Sequence, residues 1–312
     1  MRPLHAFPIV AAVLLGVGCS LFEKQKDTPR PSTPIQSNLT ADQLVTYLND
    51  RASLMQWVTA DVQVVAHKGI VSYTLRGDLF ANQPRNFRLI CEGGVGGKVD
   101  LGSNAGQFWA YVHVPASDPL FVYAMYKDFE SGQAKMPGGM PFEPEWVMQA
   151  LGMHKYPTNL PYVTPRLNPS DRTFTLAWPT TTPDGIAIKK EVVFDADQAK
   201  QGQPQVKKHL IRDNKDRVIC SAEVKAVQTV AVASPNPRSP QPDPRDQGVY
   251  IQCPTKVVLK WEAQSVQLDL NLSKVQVNQP LGDEQARRIF TRPDNVGTQP
   301  LNLAEHRFML KQ

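Results

Sequence analysis

The apolar positions of this chain change period near residue 58, and that change sets out its architecture. From Thr40 to Trp57, the residues Leu44, Leu48, Ala52 and Met55, continued by Val58, recur at helical spacing and form one apolar stripe. Thr40 with Gln43 fits a capping box, and Leu39 with Leu44 fits a hydrophobic staple. Beyond the helix the pattern alternates. Ala60, Val62, Val64 and Ala66 share one face of a first strand; Val71, Tyr73, Leu75, Gly77 and Leu79 share a face of a second. Phe87, Leu89 and Cys91 mark a third, Val99 and Leu101 a fourth, and Phe108, Ala110 and Val112 a fifth. Turn-rich stretches separate them: Asn82-Gln83-Pro84, the glycine run 93–97, and Gly102 to Gly106. A helix lying across a curved antiparallel sheet is the simplest arrangement that buries both apolar surfaces.

After Val114 the alternation breaks. Pro115 to Pro144 carries many aromatic residues without a period, which reads as a partly buried loop or a movable lid. A second helix is expected from about Glu145 to Met153, with Trp146, Ala150 and Met153 on one side. Strands resume at Arg172, with Phe174, Leu176 and Trp178, then Ile186 to Phe194, Val206 to Arg212 and Arg217 to Val230. Residues 234–245 hold five prolines and read as a stiff exposed insertion, because strand patterning continues beyond them. Val257, Leu259 and Trp261, then Val266, Leu268, Leu270 and Leu272, give the last two strands. The parity slips at Val275 and Val277, which predicts a bulge near Ser273-Lys274. A short helical turn, Asp283 to Ile289, follows. These signals predict about ten or eleven strands, with helices at the start and in the middle. The class is α+β.

Composition narrows the function. The chain has 312 residues, 41% hydrophobic and 20% charged, enough for a sizeable core. The net charge of +5 is spread along the sequence with no basic run interleaved with aromatics, which argues against nucleic-acid binding. Mild attraction to anionic lipid surfaces is compatible with it. Arg2 precedes an apolar run, Ile9 to Leu15, too short to span a bilayer but suited to a signal-peptide core.

Gly16-Val17-Gly18 directly before Cys19 resembles the lipobox of bacterial lipoproteins. That resemblance implies a lipoprotein signal peptide over 1–18 and lipid attachment at Cys19. Gly16 is not the commonest residue three before the cysteine, and an ordinary signal peptide with an incidental Cys19 is the alternative. Ser20, in place of the aspartate that marks inner-membrane retention, favours the periplasmic face of the outer membrane. Residues 19–38 are polar, carry Pro29, Pro31 and Pro34, and read as a tether.

No catalytic set emerges: there is no G-x-S-x-G elbow, H-E-x-x-H motif or Walker loop, so the chain reads as a non-enzyme without cofactor. The glycine run 93–97 lacks a phosphate-binding helix and lysine and reads as a hairpin loop. His67, His113, His154, His209 and His306 lack ligand spacing, so no metal is expected. Cys91 sits among apolar neighbours as a buried thiol, while a Cys220–Cys253 pairing is left open. Trp57, Trp109, Trp146, Trp178 and Trp261, with Met55, Met148 and Met153, either fill a closed core or line an adaptable apolar pocket.

The order of these elements resembles the fold shared by LolA and LolB, the periplasmic carrier and outer-membrane receptor of bacterial lipoprotein sorting. The resemblance spans about residues 40–293 and rests on four cues in order. They are the helix running into Ala60-Asp-Val-Gln-Val-Val65, the turn into Pro84-Arg-Asn-Phe-Arg-Leu89, the strand Gly106-Gln-Phe-Trp-Ala-Tyr111, and the strand Val266 to Asn278 followed by Phe290-Thr-Arg-Pro293. It implies a strongly curved, incomplete antiparallel β-barrel covered by an N-terminal helix and a mid-chain helix or lid, a lipid-binding domain over 39–293, and a tail over 294–312. In that fold Leu44, Leu48, Met55, Val62, Val64, Tyr73, Leu75, Phe87, Leu89, Phe108, Trp146, Met153, Leu268 and Leu270 would line a cavity for acyl chains. Arg88 would sit at the mouth, bonding lid carbonyls, or be an exposed strand arginine. The implied partners are an acyl lipid or lipoprotein cargo and the membrane, through the anchor of a monomer. The Pro-rich insertion departs from the family's short turn. Related folds also serve as glycolipid-binding lipoproteins and envelope-stress sensors, so fold does not fix cargo. Two functions stand side by side: a lipoprotein that binds amphiphiles for transfer or reception, and an interaction or sensor lipoprotein whose core is filled by its own side chains.

Overall fold

The computed structural model describes residues 39–69, 71–94, 96–113, 118–135, 145–199, 204–233, 249–279, 281–294 and 296–305. The segments read as signal peptide and tether, with Cys19, and the Pro-rich stretch 234–245 lie outside them. The first helix, α1 (Ala41–Ser53), begins as its sequence directs: Thr40 Oγ1 accepts from the Gln43 N–H at 3.2 Å, and Gln43 Oε1 accepts from the Thr40 N–H at 2.9 Å. It buries Leu44, Val45, Leu48 and Ala52.

The first meander follows as β1 (Trp57–Lys68), β2 (Val71–Asn82), β3 (Asn86–Glu92), β4 (Lys98–Ser103), β5 (Gln107–His113) and β6 (Leu120–Met125). Two short helices come next, α2 (Tyr126–Glu130) and α3 (Glu145–Ala150). The second meander is β7 (Val163–Asn168), β8 (Thr173–Thr181), β9 (Ala187–Asp195), the turn-length α4 (Ala196–Ala199), β10 (Val206–Asp213), β11 (Val218–Ala231), β12 (Tyr250–Trp261) and β13 (Val266–Val277). The chain closes with α5 (Asp283–Ile289) and β14 (Leu301–Asn302).

Among the described residues these strands form one 14-stranded sheet, ordered β14-β6-β5-β4-β3-β2-β1-β13-β12-β11-β10-β9-β8-β7. All neighbours are antiparallel except β14 and β6. The two meanders are thus joined by the single long-range pairing of β1 with β13. Register carries the apolar alternation across the sheet: Ala60, Leu79, Leu89, Leu101, Ala110 and Val122 stand opposite one another in one row. Val58, Ala81, Phe87, Ser103, Phe108 and Ala124 form the next. The expected bulge is present: Thr59 pairs with Gln276 and Asp61 with Ser273, and Lys274 takes φ +51°.

The sheet is open and curled. Ten steps separate β6 from β9, which would be roughly 48 Å in a flat sheet at about 4.8 Å per step. Yet the turn after α2 touches the β8–β9 turn. Gly132 has φ +74°, and a Cβ there would lie 2.7 Å from the Pro183 carbonyl oxygen. Only glycine allows both the left-handed turn and that approach.

Three expectations are corrected, and one pairing left open is settled. Leu120 to Met125, read as part of a loop or lid, is strand β6; it buries Phe121, Val122 and Ala124 on both faces, so no alternation shows. Strands resume at Val163, not Arg172, because β7 carries Pro165 at a sheet edge, where a missing ladder donor is tolerated. With β14 added, the count is fourteen rather than ten or eleven. Cys220 stands opposite Trp261 and Cys253 opposite Gln228, so the two thiols lie roughly 26 Å apart along the ladder, far beyond disulfide reach.

Candidate functional site

α3 lies on the connection from β6, next to one edge of the sheet, to β7 at the other edge. Its short sequence, Glu-Trp-Val-Met-Gln-Ala, buries Trp146, Val147, Met148 and Ala150, with Leu151 and Met153 just beyond. The expected one-sided stripe is therefore replaced by burial nearly all round. The helix ends in a Schellman turn: the Met153 N–H donates to Met148 O and the Gly152 N–H to Gln149 O, both at 2.9 Å, with Gly152 at φ +79°. Trp146 meets Trp261 of β12 edge-on, with centroids 5.4 Å apart. These side chains share one buried cluster with residues of β1, β2, β3, β9, β10, β11, β12 and β13. The cluster sets α3 against the apolar face of the curled sheet.

Polar clamps hold α1 beside it. Gln83 Nε2 donates to Ala52 O at 2.6 Å and Met55 O at 3.1 Å, satisfying the end of α1. Asn278 Oδ1 accepts from the Gln56 and Trp57 N–H groups at 2.8 and 3.1 Å, and its Nδ2 donates to Leu54 O at 2.9 Å. In mid-helix, Asn49 bonds both backbone groups of Tyr156, at 2.9 and 2.7 Å. Leu48, Arg51, Ala150, Tyr156, His209 and Val227 enclose a space of only about 20 Å³ there. Burial, then His154, drives the His209 pKa down to about 4, so its ring is neutral near pH 7.

The residues that the sequence puts on the cavity wall fall into several places. Met55, Val62, Val64, Leu75, Phe87, Leu89, Trp146, Met153 and Leu270 join the α3 cluster, and Leu268 packs against it, partly buried. Leu44 and Leu48 are buried on α1. Phe108 belongs to a separate cluster with Tyr126, Ala134 and Leu303. Tyr73 is half-buried. Arg88 alternates with Phe87 and Leu89 and so lies on the outer face. It is only 7% exposed. It grips Asp100 through Nε at 2.9 Å and Nη2 at 2.6 Å. Its carbonyl partners are Ile289 O and Thr291 O, at 2.6 and 2.8 Å, so it fastens the end of α5.

A second arginine, Arg85, three residues earlier, lies at the mouth of an open cleft. Where α2 meets the β8–β9 turn, a cleft of about 470 Å³ opens between the two ends of the sheet. Its α2 side holds Arg85, Tyr126, Phe129, Glu130 and Glu145; its far side holds Lys155, Tyr156, Leu160, Trp178, Pro183 and Lys190; Met153 reaches it from the buried core. Arg85 pairs with Glu130 at 2.6 Å and Glu145 at 3.0 Å and lies 4.0 Å over the Tyr126 ring. Burial opposes its charge, but these two carboxylates outweigh that and hold its pKa above the ordinary value. Sequence periodicity missed this cluster, because its members come from a turn, two helix ends and a distant hairpin. The sequence drew notice to Pro84-Arg85, Met153 and Trp178 separately, without bringing them together.

No family model and no curated protein matches the chain. Solved structures do. A DUF1329 family protein from Desulfovibrio piger aligns over 79% of this chain and 95% of its own, at 12% identity and a TM-score of 0.47. A putative outer membrane lipoprotein-sorting protein domain from Vibrio parahaemolyticus aligns over 80% and 97%, at 11% identity and a TM-score of 0.47. A LolA superfamily protein from Nitrosomonas europaea aligns over 82% and 99%, at 12% identity and a TM-score of 0.45. The LolA superfamily is also the one that the sequence resembles. At these scores the likeness decides nothing about function, which must rest on the geometry of this chain.

Proposed function

We propose that this chain is a lipid-anchored envelope protein, tethered through Cys19, that takes an acyl chain of a lipoprotein or another amphiphile into the inside of its curled sheet. It then passes that cargo on, or receives it, at the outer membrane. The observation that carries this reading is the packing of α3 on the apolar face of a curled sheet, where Trp146, Met148, Leu151 and Met153 share one buried cluster with strand residues. These side chains stand where an acyl chain would lie. Each methylene taken from water gains about 0.8 kcal/mol, so a chain that displaced α3 could bind firmly with no covalent step. The exchange would run between a closed state, with α3 inside, and an open one, with α3 withdrawn. The lack of any assembled nucleophile or acid–base pair in the sequence goes with a carrier or receptor rather than an enzyme.

A second reading has its own observation. The interior beneath α1 leaves only about 20 Å³, so the core could be permanently self-filled and the protein an interaction or sensor lipoprotein. One experiment separates the two. The chain carrying Cys19→Ala is purified from an envelope extract, analysed by lipid mass spectrometry, and titrated with a fluorescent apolar probe. The carrier reading expects a stoichiometric acyl lipid or saturable probe uptake, either of which Leu48→Glu abolishes while the circular dichroism spectrum is kept. A lipid-free protein that takes up no probe leaves the self-filled reading.

A further inference from the structure

Three large apolar side chains that the fold leaves in solvent gather at one corner of the sheet. Leu54 is 42% exposed, Val249 51% and Tyr250 66%. Hydrogen bonds bring them together. Asn278 Nδ2 donates to Leu54 O at 2.9 Å, and Val277, just before it, accepts from the Ala233 N–H at 3.2 Å. Val232 bridges Val277 and donates its N–H to Val249 O at 2.8 Å. The chain neighbours Met55 and Ile251 are buried, so Leu54 and Tyr250 face outward. The corner adjoins the mouth cleft. The Gln83 N–H and Asn82 Nδ2 both donate to Gln56 O, at 3.0 and 3.2 Å, and Gln83, Pro84 and Arg85 line the cleft.

Charge does not single out a partner for this corner. α5 docks here through Phe290, whose ring lies 6.0 Å from Trp57. It exposes Asp283, Glu284, Arg287 and Arg288, two of each sign, with Arg288 paired to Glu284. On α1, Asp50 and Arg51 likewise cancel. A strongly charged partner therefore gains little there. A stable protein partner fits no better, since three partly exposed side chains fall well short of the roughly 800 Å² per side that a standard interface buries. A bilayer does fit. It needs only a few apolar side chains once an anchor holds the protein close, and tyrosine suits the level where an apolar ring meets a wet hydroxyl. The reach is sufficient: residues 19–38 span at most about 70 Å, and α1 runs about 20 Å from their end to Leu54. Resting on the lipid-anchored reading above, we infer that Leu54, Val249 and Tyr250 form a bilayer-contact surface that needs no anionic lipid and places the mouth cleft beside the membrane.

The test uses the Cys19→Ala chain, which has no anchor, and measures flotation with phosphatidylcholine vesicles, plain or carrying phosphatidylglycerol. The parent chain floats with both alike at millimolar lipid. Leu54→Ser and Tyr250→Ser each lower its partition roughly 3- to 10-fold, the worth of the exposed part of one such side chain, and keep the parent melting temperature. Val71 serves as control: it is 46% exposed but lies at the other end of β2 from Asn82, eleven residues or roughly 36 Å away, and Val71→Ser leaves the partition unchanged. Uptake of the fluorescent apolar probe is measured alongside and stays at the parent level in all three variants. No flotation of the parent, binding only to the anionic vesicles, no loss in either corner variant, or an equal loss in Val71→Ser each overturns the inference. Saturable probe uptake by the same chain then leaves the acyl-chain reading standing, whereas neither flotation nor uptake overturns both.

Discussion

Replacing Trp146 by alanine removes the largest side chain of α3 from the inside of the sheet. Trp146 is 2% exposed and meets Trp261 edge-on at 5.4 Å, so the change deletes a buried indole and its contact with that ring. Large-to-alanine changes at such sites cost about 3–5 kcal/mol, and the lost ring pair accounts for roughly 0.5–1.5 of that order. Alanine is the best helix former, so the loss belongs to packing and not to the helix itself. Against a typical stability of about 5–15 kcal/mol, the variant stays folded with a thin margin.

Urea unfolding followed by far-UV circular dichroism measures that loss. The acyl-chain reading adds a second expectation, since the vacated space is apolar and continuous with the core: a single-chain amphiphile binds it and restores stability. At about 100 times its dissociation constant the ligand returns about 2.7 kcal/mol. A loss under about 1 kcal/mol would show that the indole is not packed as described and would refute the reasoning at its first step. A full loss with no recovery at saturating amphiphile would refute its second step and favour the self-filled core.

Three further outcomes follow from the geometry. Arg88→Ala leaves Asp100, 3% exposed, without its bidentate partner and frees two carbonyls at the end of α5; the expected loss is about 3–5 kcal/mol, with faster hydrogen exchange over 283–291, and Arg88→Lys does not restore it because an ammonium cannot span all four oxygens. His209 has its folded pKa lowered to about 4 by burial, from an unfolded value near 6.5, so the unfolded chain binds the extra proton between those values; stability falls as pH drops through that window, by up to about 3 kcal/mol, and His209→Gln flattens the profile measured by urea unfolding. Gly102→Ala puts a Cβ 2.2 Å from Trp109 Cζ2, lifting the indole from β4 and breaking its 3.2 Å bond to Asp100; a loss of about 1–3 kcal/mol is expected by thermal melting.

Where the sequence was legible, one surface of an element faced the core and the other did not. Thr40 and Gln43 marked the start of α1 because a capping box is local. The alternation in β1 to β5 and β13 gave their inner faces, down to the bulge at Lys274. Where both surfaces are covered, the signal vanishes. Leu120 to Met125 packs inward with Phe108 and outward with Trp109 and Tyr111, so its apolar run has no period. α3 is six residues long and enclosed on nearly every side, so a stripe could not show. Arg88 stood out in the sequence as a strand arginine, but whether it meets a lid or a distant helix depends on where α5 folds back, which no local spacing records. The mouth cleft is less legible still. Arg85, Tyr126 and Trp178 become neighbours only because ten strand steps curl the sheet until Gly132 meets Pro183.

That curl explains how an open sheet can release a helix from its inside without unfolding. The strands satisfy one another through the ladder, whereas α3 meets them through apolar side chains, so the two can part with the ladder intact. The fixed points lie on either side. Upstream, Arg85 grips Glu130 and Glu145, one at each end of the link between α2 and α3. Downstream, Asn49 of α1 holds both backbone groups of Tyr156. The Arg85 pairs are partly exposed and individually weak, while the Asn49 bonds are part-buried and take both backbone groups of one residue. Motion should therefore begin at the Glu145 end of α3 and pivot near Tyr156. Hydrogen exchange that is fastest over the first turn of α3 and slowest at Tyr156 would bear this out; the reverse order would place the pivot at Arg85 and make the mouth cleft the fixed end of the hinge.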